Sequence, residues 1–382
     1  MEKIVYADHS ATTYTKPEVL NEMLPYFTSK YGNASSLYSL GRISRRAVDT
    51  ARYQVATAIN ADVSDIYFTA GGSESDNLII MGIARANKCE KNHIITTKIE
   101  HLAVLNSCAR LEKEGFDVTY LNVNKDGLID LDELEKAIKP NTMLISIMFA
   151  NNEIGTIEPI KKIGEIAKKH GIIFHTDAVQ AIGNVKIDVK DLNIDALSMS
   201  GHKFYGPKGI GAAYIKNEIR FEPVIYGGHQ ELQKRAGTEN VPGIVGIGKA
   251  IEIADKNIDS YNQKLTKIRD YFLDQVKQKV NGVTVNGSVS NRLPGNANIT
   301  IKGVDGESML LMLDMDGICA SSGSACTAGS VDPSHVLTAI GLNSDDAKCS
   351  IRFTFGDENT IEDADYIVDK LVEISKKLRK KE

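Results

Sequence analysis

The chain has 382 residues, 42% of them hydrophobic and 25% charged, with a formal net charge of -5. That mix is ordinary for a globular protein and gives no basic excess for a nucleic acid or an anionic membrane surface. Apolar runs such as LIIMGIA (78–84) fall short of the roughly 18 residues a membrane helix needs, and MEKIVYADHS has no apolar signal core, so a cytoplasmic protein with no membrane partner is expected.

Apolar, β-branched runs alternate with helical patterns through the first two-thirds. IYFTA (66–70) reads as a strand and GGSESDNLIIMGIARA (71–86) as a glycine loop entering a helix. HIITT (93–97) is a second strand, and HLAVLNSCARLEKEG (101–115) a helix closed by Gly115. VTYLNV, MLISIMF and GIIFHTDA follow as strands, with PIKKIGEIAKKHG a capped helix before the last of them; LSMS and GIGAAYI complete the set. This alternation predicts an α/β fold, a mainly parallel sheet with helices on both faces. Near Ser260 the pattern changes. A helical stretch, YNQKLTKIRDYFLDQVKQKV, leads into VTVNG, NANITIKG and SIRFTFG, and DADYIVDKLVEISKKLRK closes the chain as a helix. The expected organisation is an N-terminal segment (1–15) packing with a small domain, a large domain (16–259), and a small α+β domain (260–382).

Five cysteines are scattered without CxxC spacing, which argues against a disulfide framework or a metal site. Cys108 and Cys319 sit in or beside apolar runs and read as small core residues. Cys326 differs. It stands in SSGSACTAGS (321–330), among small and hydroxyl residues with no core to fill.

Three motifs carry chemistry. In GGSESDN (71–77), glycines after a strand and Ser73 at a helix start suit a phosphate, although a capped βα turn explains the same residues. In HTDAVQA (175–181), Asp177 lies at the C-terminal end of a strand, where open α/β sheets keep their sites. In SMSGHKFYGPKG (198–209), Lys203 stands at another strand end, where an amine can form a Schiff base; a surface lysine in a Gly/Pro loop is the alternative. A phosphate cradle, an aspartate and a strand-end lysine, in that order, match what pyridoxal 5′-phosphate (PLP) requires.

TAGGSESDN, IEHLAV, ANNEIGTIEPI, HTDAVQA, SGHKFYGPKG, RAGTENVPGIVG, SSGSACTAGSVDPSHVL and IRFTFG together resemble the NifS/IscS-type (group I) cysteine desulfurases of the class-V aminotransferase family. These are PLP enzymes of fold type I, the aspartate-aminotransferase fold. The resemblance runs from DHSATT to the final helix. It implies that Lys203 carries the cofactor aldehyde, that His101 stacks on the pyridine ring and moves protons, and that Asp177 pairs with the ring nitrogen and Gln180 with the phenolic oxygen. It implies that Gly72, Ser73, Ser200 and His202 hold the phosphate, and that Thr238 reaches the phosphate of a neighbouring subunit in a homodimer. Asn152 and Arg352 would bind the substrate carboxylate. Cys326 would take sulfur from PLP-bound L-cysteine as a persulfide, leaving L-alanine, and pass it to an acceptor protein such as an iron–sulfur scaffold or to thiolation. Iron–sulfur metal centres belong to that pathway, and no metal ligands are expected among the site residues.

The long form of the Cys326 loop resembles the NifS/IscS group rather than the SufS-like one. Two motifs depart from the family: its DNAATTP stands here as DHSATTY, with His9, Ser10 and Tyr14, and its GNPSSxH as GNASSLY, with Ala34 and Tyr38. Selenocysteine lyases and cysteine sulfinate desulfinases share the fold and the cofactor site. A non-catalytic sulfur-assembly scaffold is the alternative of another class, and the joint presence of Lys203, Asp177, His101 and Cys326 argues against it.

Overall fold

A computed structural model describes residues 4–322 and 333–379; Cys326 lies outside these residues. The strands in chain order are β1 (Val5–Tyr6), β2 (Ile66–Thr69), β3 (His93–Thr97), β4 (Asp117–Leu121), β5 (Thr142–Ser146), β6 (Ile173–Asp177), β7 (Ala196–Ser200), β8 (Gly211–Ile215), β9 (Val283–Val285), β10 (Asn296–Ile301), β11 (Ile318–Cys319) and β12 (Ser350–Thr354).

Seven of them form one sheet in the order β2-β8-β7-β6-β5-β3-β4. β4, β3, β5, β6 and β7 pair in parallel, and β8 runs antiparallel to both its neighbours. Except in the edge strand β4, their side chains are almost all buried, as strands covered by helices on both faces must be. One core lies under the helices Ser39–Ala58 and Ile160–His170, a second under Gly72–Asn87 and Leu102–Lys113. Gly171, at φ +61°, ends the Ile160–His170 helix, as a left-handed cap residue does.

The strands predicted from β-branched runs are all present. The helix predicted from Tyr261 is longer than its pattern suggested, spanning Val241–Lys279. Its first turns, VPGIVGIGKA, are rich in glycine, which hides helical periodicity. Pro242 sits in the first turn, and the Asn240 side chain accepts from the Gly243 amide. A Cβ on Gly248 would lie 2.7 Å from Ala51 Cα, so that glycine lets this helix press against Ser39–Ala58. The long helix joins two cores. Ile244, Val245, Ile247, Ala250 and Ile251 pack on the large sheet, whereas Leu265, Ile268, Phe272, Leu273 and Val276 pack on the β12-β10-β9 sheet. Val5 and Ala7 join the latter core, and β1 pairs in parallel with β11. Cys108 is buried as expected, but Cys319 is only half-buried, because β11 has no neighbour besides β1.

No helix among the described residues is long and apolar enough to cross a membrane, and no cluster of three or more His, Cys, Asp or Glu residues among them could hold a metal ion.

Candidate active site

A cavity of about 230 Å³ opens at the C-terminal ends of β5, β6 and β7, where parallel strands aim their carboxyl ends and the following loops diverge. Gly72, Ser73, His101, Asn152, Asp177, Gln180, Ser200, His202, Lys203 and Arg352 all line it. Two residues of the expected set do not: Thr238, which is exposed, and Cys326, which lies outside the described residues.

One end of the cavity has the shape and backbone donors that could cradle an anion. The Gly72–Asn87 helix begins there with Gly71 as its N-cap, so Ser73 is inside the first turn rather than capping it. A Cβ on Gly72 would lie 2.6 Å from Val179 Cγ2, and one on Gly211 would lie 2.7 Å from Gly71 Cα, so bare backbone is what fits here. The amides and dipole of the helix start face the cavity between Ser200 and His202. The His202 Nδ1 lies 3.0 Å from Thr12 Oγ1. Burial, helped by the Lys203 and Lys208 charges, lowers its imidazole to about 4, so the ring is neutral at neutral pH.

Lys203 ends the single helical turn that follows β7. Its Nζ donates to the main-chain oxygens of Ser10 and Ala11 (2.9 Å for Ala11), which brings the N-terminal segment to the cavity wall. The Gln180 amide donates to Ser10 O at 3.1 Å from the other side. His101 caps the Leu102–Lys113 helix, its Nδ1 accepting from the Ala103 amide at 3.1 Å. That bond fixes the ring and leaves the neutral tautomer's proton on Nε2.

Asp177 is buried at the end of β6, and Oδ1 accepts from the Val179 amide at 2.9 Å. Burial raises its carboxyl, while the charges of His101 and Lys203 oppose the rise. Behind it is Asp76, a residue the sequence reading did not single out. It is fully buried, and neither carboxylate oxygen has a hydrogen bond of normal geometry; His175 Nε2 is 3.8 Å from Oδ1. Burial and the Asp177 charge push Asp76 well above the usual carboxylate range, against a contact with Ser198. Two carboxylates this deep hold one negative charge between them more readily than two. Burial also drops His175 to about 3, so that ring adds no cation. The cavity therefore presents an amine, a buried acid, a neutral imidazole and an anion cradle around one volume.

On the opposite wall the guanidinium of Arg352 donates to Asn152 O at 3.1 Å and to Asp8 Oδ1 at 2.7 Å. Asn152 thus contributes its main-chain oxygen to Arg352 as well as a face of the cavity. Asp8 is a second residue at the site that the sequence did not single out, since its contact with Arg352 spans 344 positions.

The segment before Thr238 is tied down elsewhere. Glu231, Leu232 and Gln233 are consecutive non-glycine residues at φ +45°, +54° and +68°. Arg52 grips both Glu231 oxygens, at 2.7 and 2.8 Å, in a buried pair that offsets this strain. Arg235 forks onto Glu74 of the cradle helix at 2.9 and 3.3 Å.

The chain is similar to known proteins along nearly its whole length. The class-V aminotransferase family model matches residues 5–367. The chain is 56% identical over 381 residues to "Cysteine desulfurase IscS" of Clostridium botulinum, covering 99% of this chain and 96% of that protein. It is 54% identical over 377 residues to a protein of the same name from Methanosarcina thermophila, covering 99% and 93%. Among solved structures, a "NifS-like protein" superposes with a TM-score of 0.92 at 36% identity, over 98% of this chain and all of that one. "SspA in complex with cysteine" superposes at 0.82 and 40% identity, over 92% and 99%.

Proposed function

The chain belongs to the class-V aminotransferases and, within them, to the NifS/IscS-type cysteine desulfurases, and from that premise we propose how its own residues divide the reaction. Its fold is the type I α/β fold of PLP enzymes. The reaction takes L-cysteine to L-alanine and delivers the sulfur to an acceptor. Enzymes of this family use PLP, which, when bound, supplies an electron sink for carbanions on the amino acid.

One observation carries the assignment of residues: Lys203, Asp177 and the Gly72 cradle, far apart in sequence, line a single cavity. The cradle that no Cβ could enter and the buried acid pair Asp76–Asp177 are what PLP's phosphate and pyridinium nitrogen call for. Lys203 would hold the aldehyde. Asp177 would carry the one negative charge of the pair toward the ring nitrogen, with Asp76 protonated behind it. Ser73, Ser200 and the amides of the first helical turn would hold the phosphate, and His202, being neutral, would join them as an N–H donor rather than as a cation. Gln180 would meet the phenolic oxygen. His101 would lie against the ring and move protons at Nε2, its Nδ1 being taken by Ala103.

Arg352, with Asn152, would hold the substrate carboxylate. The Cys326 thiolate would attack the sulfur of the bound L-cysteine. A sulfur–sulfur bond forms as the carbon–sulfur bond breaks; the electron pair goes to the three-carbon skeleton, which is protonated and leaves as L-alanine. The persulfide then serves an acceptor protein for iron–sulfur assembly or thiolation. The same reading makes the active unit a cytoplasmic homodimer in which Thr238 serves the neighbouring site.

Mass spectrometry after brief exposure to L-cysteine without reductant tests this. A persulfide on Cys326, and loss of sulfide release in Cys326→Ser with cofactor binding kept, is expected. A persulfide confined to Cys89, Cys108, Cys319 or Cys349 would rule the assignment out.

A further inference from the structure

Arg352 is buried to 1% side-chain exposure, and the carboxylate that meets it belongs to Asp8, itself 14% exposed. The two oxygens of Asp8 are divided. Oδ1 accepts from Arg352 Nη2 at 2.7 Å, and Oδ2 accepts from the Ser321 hydroxyl at 2.8 Å. Ser321 and Arg352 also exchange main-chain hydrogen bonds in both directions, at 3.2 and 2.7 Å. Three distant stretches meet at this point: the segment after β1, the residues after β11, and the middle of β12.

We infer that Asp8 is the positioning residue and resting counter-ion of Arg352, and that its charge sets how tightly the site grips an amino-acid carboxylate. The inference rests on the assignment of Arg352 to the substrate carboxylate. A fully buried guanidinium without a counter-charge is costly, and Asp8 removes that cost while fixing the plane of the fork. The consequence for the reaction follows from what substrate and product share. L-Cysteine and L-alanine carry the same carboxylate. A grip on it is uniform binding, which lowers KM without accelerating the chemical step and slows release of product. A carboxylate arriving at a guanidinium already neutralised by Asp8 is held less tightly than one arriving at a bare cation, so Asp8 moderates a grip that would otherwise retain L-alanine.

The test uses the cofactor-loaded enzyme and two amines, L-alanine and its decarboxylated counterpart ethylamine, titrated against the cofactor absorbance. Asp8→Asn keeps an acceptor for Arg352 but removes the charge. It should tighten L-alanine binding about tenfold, the order of a charge–charge interaction at a partly screened site. It should leave ethylamine within about twofold and lower KM and kcat for L-cysteine together. Ser321→Ala does the reverse: it strips Asp8 of its second donor, concentrates its charge on Arg352, and should weaken L-alanine binding while sparing ethylamine. This second variant removes only a hydroxyl and decides the matter if Asp8→Asn does not fold. L-Alanine affinity unchanged in the variant, or changed equally for ethylamine, would overturn the inference. Arg352→Gln separates the two levels. If it leaves L-alanine binding intact, the carboxylate assignment falls and the role of Asp8 with it; if it weakens binding while the Asp8 and Ser321 variants bind as wild type, only the role of Asp8 falls.

Discussion

The Nζ of Lys203 donates to the main-chain oxygen of Ala11 at 2.9 Å, so the candidate Schiff-base lysine also fastens the N-terminal segment across the cavity mouth. The same Nζ donates to the Ser10 carbonyl as well. Lys203→Ala should therefore have two effects. Borohydride reduction followed by peptide mapping should find no cofactor on the chain, where the wild type carries it on Lys203. The cofactor-free variant should also lose about 1–3 kcal/mol in urea unfolding, the range for a charged donor whose acceptors are left without it. Cofactor trapped on Lys208 would sink the assignment; that residue lies in an exposed turn.

His9 stands where the family has asparagine, and the structure shows what its ring leans on. Nδ1 is 2.9 Å from Thr354 O, and Nε2 is 3.0 Å from Glu358. The ring lies so close to Gly356 that a Cβ there would come within 2.5 Å of three ring atoms. Gly356→Ala should cost roughly 1–3 kcal/mol of unfolding free energy, the usual range for overpacking. In a His9→Asn background the smaller side chain leaves room, and the cost should fall by half or more. Equal costs in both backgrounds, from denaturant melts, would show that the ring is not the obstacle.

Glu158 precedes the Ile160–His170 helix with one oxygen accepting from the Ile129 amide at 3.2 Å and the other buried without a hydrogen bond. Burial pushes its carboxyl up to about 8. The folded-state value lies above the unfolded one, so the contribution of this group to stability is complete below about pH 4.5 and is lost as pH rises toward 8. Glu158→Gln keeps a neutral group and an acceptor for Ile129. Its unfolding free energy from urea melts should match the wild type near pH 4 and exceed it by more than about 1 kcal/mol at pH 8.5. A variant that is less stable at both pH values would show that the carboxyl is ionised and paired.

Much of the sheet was legible because its strands are continuous β-branched runs: HIITT is β3 residue for residue. The Ser39–Ala58 helix was less legible: its buried stripe, Gly41, Ser44, Val48, Ala51, Arg52, Val55 and Ala56, keeps helical spacing, but Val48 and Val55 are its only branched aliphatic residues. The β1–β11 pair was hidden for another reason. Two-residue strands from opposite ends of the chain carry no local pattern, and tertiary packing alone defines them. At the site, Lys203, Asp177 and the glycine cradle had motif signals. Asp76 had none that separates a buried acid from an ordinary helix-surface aspartate, and Asp8 acquires its meaning only through Arg352. Residues that act by being buried beside another charge are read from three dimensions, not from spacing.

Thr238 is exposed and lines no part of its own chain's cavity, while Arg52–Glu231 and Arg235–Glu74 fix the segment leading to it. If it serves the neighbouring subunit, two defects placed on different chains will not share a site evenly. In a mixed dimer of Lys203→Ala and Thr238→Asp chains, one site combines the missing lysine with the added charge beside the phosphate. The other has Lys203 from the second chain and Thr238 from the first, and is wild type. The mixed dimer, purified through two different affinity tags, should hold about one cofactor per dimer after dialysis and show about half the wild-type activity. Each parent homodimer should be severely impaired, one because both its sites lack the lysine and the other because an aspartate opposes the phosphate at both its sites. Were Thr238 to act within its own chain, each site of the mixed dimer would carry one defect. Activity no higher than the mean of the two parents would then be measured, and the shared-site arrangement would be wrong.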